Sequence, residues 1–89
     1  MSEIVRRAAA GTLESSDVYV ELEPSDAGIE IELDSVVIRQ FGEEIRRVVG
    51  EVLSEQGVSR AKVRVVDRGA LDCVIRARVE TAVERAKGA

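Results

Sequence analysis

The sequence predicts an α+β fold: a two-layer sandwich in which a small, mainly antiparallel sheet carries two helices on one face, in the order (β)ββαβα. Three observations predict it. Val18, Val20 and Leu22 alternate with Tyr19, Glu21 and Glu23, and Ile29, Ile31 and Leu33 alternate with Glu30, Glu32 and Asp34; that is the period of half-buried strands. Two longer segments space their apolar residues as a helix does. A third alternating run, Ala61, Val63 and Val65, lies between those segments. Helices must bury their apolar stripes, and the apolar face of the sheet is the surface available to both.

The elements follow in order. The 89 residues hold one domain, spanning 1–89 with residues 1–7 as a flexible arm. A chain this short buries about 60–65% of its unfolded surface, and a 45% hydrophobic content lets it fold without staples. Ala8 to Leu13 is a short strand, although its three alanines are poor strand formers. Pro24, Ser25, Asp26 and Gly28 form a turn between the next two strands, which are expected to pair as an antiparallel hairpin. Val37, Phe41, Ile45, Val48, Val49 and Val52 mark a helix over about 36–55, capped by Asp34 or Ser35 and stopped by Gly57. After the strand at Ala61 to Val65, Asp67 can cap a second helix over about 69–86. Its buried stripe is Leu71, Val74, Ile75, Val79, Ala82, Val83 and Ala86. Lys62 and Arg64 can balance the glutamates of the outer sheet face if their strand lies beside them.

Composition narrows the chemistry. A net charge of −4 argues against nucleic acid and against anionic membranes, because both require neutralising basic residues. No segment approaches the roughly 18 apolar residues of a membrane span, and Met1 to Ala10 lacks the apolar run of a signal peptide, so a cytoplasmic location is expected. With no histidine, Ser-His-Asp and Cys-His arrangements are impossible. One cysteine makes neither a disulfide nor a zinc site. No catalytic residues and no metal ligands are expected. Cys73, among apolar neighbours, reads as a structural, semi-buried side chain. Asp72, Arg76 and Glu80, spaced i,i+4, read as helix-surface ion pairs, with Arg76 and Arg78 open to a docking role.

Gly11 to Asp17 is the most informative segment. Glu14-Ser15-Ser16-Asp17 has turn composition, and Ser and Asp side chains can bond nearby backbone groups. On residue chemistry alone this is a hairpin turn whose tip exposes a serine.

Gly11-Thr12-Leu13-Glu14-Ser15 followed by Asp17-Val18, then Gln40-Phe41-Gly42-Glu43-Glu44-Ile45-Arg46, then Gly69-Ala70-Leu71-Asp72-Cys73-Val74-Ile75-Arg76-Ala77-Arg78 closely resembles the citrate lyase acyl carrier proteins, the gamma chains of that complex. The likeness runs from about residue 8 to residue 85. It implies a non-catalytic carrier subunit with a covalently bound 2'-(5''-phosphoribosyl)-3'-dephospho-CoA group. By position the attachment residue is Ser15, with Ser16 the lesser candidate. It also implies an alpha (transferase) subunit, a beta (lyase) subunit and a cofactor-attachment enzyme as partners. Many members have glycine where this chain has Ser16, which adds a second hydroxyl and removes a residue tolerant of positive φ. Two alternatives stay open: the carrier subunit of a malonate decarboxylase, and an unmodified structural or adaptor subunit.

Overall fold

A computed structural model describes residues 3–88, with Ile38 described in its backbone only. Its elements are β1 (Ala8–Gly11), β2 (Val18–Pro24), β3 (Ile29–Ser35), α1 (Ile38–Glu55), β4 (Ala61–Asp67) and α2 (Asp72–Ala86). This is the expected α+β order, and the four strands form one sheet. Val18, Val20, Leu22, Ala61, Val63 and Val65 point into the core. They meet Ile45, Val48, Val49, Val52 and Leu53 of α1, and Ile75, Val79, Ala82, Val83 and Ala86 of α2. Lys62, Arg64 and Glu32 on the other face are exposed.

The strand order β1-β2-β4-β3 corrects the expected hairpin. β2 and β3 do not pair: β4 lies between them, antiparallel to β2 and parallel to β3. Charge gives the reason. A β2–β3 hairpin would set Glu21 and Glu23 beside Glu30 and Glu32, and like charges directly opposite destabilise a sheet. With β4 inserted, Arg64 faces Glu21 on one side and Glu32 on the other, and Lys62 faces Glu23 and Glu30. The crossover through α1 is what a parallel β3–β4 pair requires.

The helix ends also differ from expectation. Neither Asp34 nor Ser35 caps α1, whose N-cap is Val37; Ser35 Oγ accepts the Val37 N–H at 3.1 Å and donates to Asp67 at 2.8 Å. Asp67 does not cap α2, whose N-cap is Leu71. Gly57 does stop α1, at φ +74, and the Gly57 N–H to Ser54 and Val58 N–H to Leu53 bonds complete a Schellman motif. Arg76 pairs across helices rather than along its own, reaching Glu51 at 3.1 Å and Glu55 at 2.6 Å. From Glu3 onward the segment taken as a flexible arm is held. Ile4 is buried, the Val5 and Arg6 N–H groups donate to Ala86, and Glu3 accepts from Ser59 and Arg60. Met1 and Ser2 lie outside the described residues.

Candidate functional site

One end of the sheet gathers the informative residues. Val18, Asp67 and Ser35 stand in register there. The 12–17 turn, the 68–71 loop and the residues leading into α1 all leave from this end, and both helices begin at it. Asp67, 1% exposed, ties them together: it accepts from Ser35 Oγ and from the Ala70 N–H at 3.0 Å.

The turn itself is tightly specified. Gly11 has φ +92, and a Cβ there would stand 1.9 Å from the Val18 carbonyl oxygen, so only glycine fits. The Asp17 N–H donates to the Glu14 carbonyl at 3.1 Å, leaving Ser15 and Ser16 at the centre of a four-residue turn. Of these two, only Ser16 has positive φ, at 65, which is the sign pattern of a type II turn. That conformation favours glycine and costs a serine about 1–2 kcal/mol. Two bonds extend the β2–β4 ladder into the turn, Ser16 N–H to Arg68 O at 2.8 Å and Arg68 N–H to Asp17 O at 2.9 Å. Ser15 is exposed.

Asp17 fixes the turn from its C-terminal side. Its carboxylate accepts from Thr12 Oγ1 at 2.7 Å, from Arg78 at 3.1 and 3.0 Å, and from the Val18 N–H at 2.7 Å. The Thr12 hydroxyl, then the Arg78 guanidinium and the Val18 amide, hold its pKa down to about 2. Among the described residues Ser15 Oγ makes no hydrogen bond, while the backbone around it is held. The sequence placed Thr12, Asp17 and Arg78 inside the family motifs and read Asp17 as bonding nearby backbone, which it does at the Val18 N–H; its clamp to Arg78 across 61 residues of sequence was not foreseen.

Beside the turn, between the starts of α1 and α2, lies a cavity of about 360 Å³ lined on its apolar side by Val37, Phe41, Ile45, Ala70 and Leu71. Phe41 and Leu71, expected in the core stripes, are 52% and 71% exposed. They sit in the first turn of α1 and at the N-cap of α2, beyond the rim of the sheet that should have covered them. Cys73 is exposed rather than semi-buried, because its helix position faces away from the sheet. Among the described residues no group of His, Cys, Asp and Glu side chains could hold a metal ion. Nor is any helix there long and apolar enough to cross a membrane.

The profile of the ACP family described as "Malonate decarboxylase delta subunit (MdcD)" matches residues 5–86. The citrate lyase acyl carrier protein of Escherichia fergusonii is 56% identical over 94% of this chain and 88% of its own length. That of Lactiplantibacillus plantarum is 52% identical, with the same coverage. The chain belongs to the citrate lyase acyl carrier protein family. In structure it resembles a chain of a Pseudomonas malonate decarboxylase hetero-tetramer crystallised with malonate, with a TM-score of 0.79 and 26% identity over 91% of this chain and 84% of that one. The family is one of acyl-carrier subunits rather than catalysts. Membership implies a phosphopantetheine-like prosthetic group and association with a multi-subunit lyase or decarboxylase complex.

Proposed function

We propose that this chain is the acyl carrier of a citrate lyase, with 2'-(5''-phosphoribosyl)-3'-dephospho-CoA joined to Ser15 through a phosphodiester. The observation that carries the reading is the exposed Ser15 hydroxyl, left unbonded at the centre of a turn whose flanks are held by Asp17 and Arg68. An attachment enzyme needs a hydroxyl that it can reach and place in line, and these residues fit that need. Ser16 is exposed too, but its positive φ aims the side chain differently from Ser15.

Bound there, the group supplies a terminal thiol that carries acetyl and citryl groups as thioesters. The chain's own residues present that thiol to other subunits. Tethering turns a bimolecular encounter into an intramolecular one, at an effective concentration set by arm length. The partners are a transferase (alpha) subunit, a lyase (beta) subunit and the attachment enzyme, acting in the cytoplasm. The malonate decarboxylase reading has its own support in the family profile and in the Pseudomonas structure. Identities of 52–56% to citrate lyase carriers, against 26% to the chain from that decarboxylase, favour citrate.

Intact mass and peptide mapping of protein made alongside the attachment enzyme test the assignment. Wild type and Ser16→Gly should gain the mass of the group, and Ser15→Ala should gain none. Since Ser15 is exposed, that variant should lose no more than about 0.5 kcal/mol of stability. A loaded Ser16 peptide in Ser15→Ala protein that still supports citrate cleavage would overturn the choice of residue.

A further inference from the structure

The cavity between the starts of α1 and α2 is not accounted for by attachment alone. A free-standing domain gains nothing by leaving Phe41 and Leu71 in water, since burying such a side chain is worth about 1.5–3 kcal/mol. One residue of chain separates the cavity from the bond that anchors the attachment turn: the Ser16 N–H bonds the Arg68 carbonyl, and the next residue, Gly69, lines the cavity. At about 360 Å³ it is near the small end of ligand pockets, roughly 300–1,000 Å³. It suits the tip of an arm and not a nucleotide.

Its charge selects among tips. Glu44, Asp67 and Asp72 line it, and among the described residues no basic side chain does. Arg47 offsets Glu44, to which it is hydrogen-bonded, and two helix N-termini together contribute about one positive charge. The wall therefore stays acidic on balance. An uncharged acetyl thioester can enter, whereas a citryl thioester brings its own free carboxylates and is repelled.

We infer that this cavity is a resting site for the acetyl-loaded end of the arm on Ser15, one that turns the citryl-loaded end out toward the partner subunits. The inference rests on the proposed attachment to Ser15. It assigns Phe41 and Leu71 as the lips of the site and the three acids as its filter.

The test uses the full chain, isotope-labelled and carrying Cys73→Ala so that the arm holds its only thiol. Intact mass first establishes loading. Amide chemical shifts are then compared between apo, acetyl-loaded and citryl-loaded protein. Acetyl loading should move the amides of Val37, Phe41, Gly69, Ala70 and Leu71, and citryl loading should move only residues around the 12–18 turn. Hydroxylamine cleavage of the acetyl thioester gives a second readout. If about two thirds of the arms are docked, cleavage should be about threefold slower than in Leu71→Glu or Phe41→Glu protein. Both substitutions lie at exposed positions, so folding should survive, and either one alone suffices for the comparison. Loaded protein whose acetyl-dependent shifts stay within the turn, or whose cleavage rate ignores both substitutions, overturns the resting site and leaves the attachment reading standing. Equal shifts in the cavity from citryl and acetyl forms overturn the charge filter. Absence of the mass gain in wild type overturns the attachment reading, and this inference with it.

Discussion

Asp17 gathers its donors from three parts of the chain: Thr12 ahead of the turn, Val18 after it, and Arg78 on α2. Its carboxyl is lowered from 3.8 to about 2, so the clamp adds stability in full above pH 4 and loses it as pH falls through about 2. Asp17→Asn should cost about 2 kcal/mol at neutral pH, the worth of hydrogen bonds to a charged group. Urea unfolding should show that gap closing between pH 4 and pH 2, because the wild-type carboxylate is then protonated too; a gap unchanged by pH would mean that the ion pair is not its source. At this scale the sequence was partly legible. Ser15 stood out through the motif around it, and the positive φ of Ser16 is a conformation that favours glycine. The clamp was not legible, since Asp17 and Arg78 lie in separate motifs and only the fold joins them. Phe41 and Leu71 were misplaced because periodicity assigns a residue to a helix face but does not say where along the helix the sheet stops covering that face, and Cys73 because apolar neighbours in sequence do not put a residue on the buried face.

Among the elements, α1 shows most clearly how local chemistry and packing divide their work. Its stripe from Ile45 to Leu53 is buried and its end is closed by Gly57. Glu44, Arg47 and Glu51 pair along it at i,i+3 and i,i+4. Gly50 stands in its interior with open space where a Cβ would go. Glycine there carries excess unfolded-state freedom and has no contact to justify it. Gly50→Ala should therefore stabilise the protein by about 0.5–1 kcal/mol and raise Tm by a few degrees in a thermal melt, the usual response for a chain of this size. A lower Tm would mean that the position has a contact which the open space does not suggest. Strand and helix positions were legible because each repeats a period several times. Pairing was not, because alternation says which face a residue takes and is silent on which strand lies beside it. The alternating signs of Glu21, Arg64 and Glu32 held that information, and it could be used only once β4 was allowed between β2 and β3.

Seen whole, the outer sheet face is a basic strand held between two acidic ones. Arg64→Glu would turn two opposite-charge pairs into two like-charge pairs, costing about 1–2 kcal/mol in total. Added salt should recover much of that loss, since Arg64 and Glu32 are exposed and Glu21 is only half-buried, all within reach of screening. Urea midpoints at low and high salt measure both effects, and a salt-independent deficit would point to packing instead. The molecule also has two poles. The turn bearing Ser15, the cavity and both helix starts occupy one pole. At the other, Val5 and Arg6 bond Ala86, Glu3 bonds Ser59, and Lys87 reaches Gln56. The first and last described residues thus emerge side by side, a sheet's length away from the serine. A second polypeptide genetically joined there, through a short linker, would hang behind the domain like a handle and leave the working pole open, so carriers of this shape can be strung in tandem or fused to a catalytic chain without redesign of the fold.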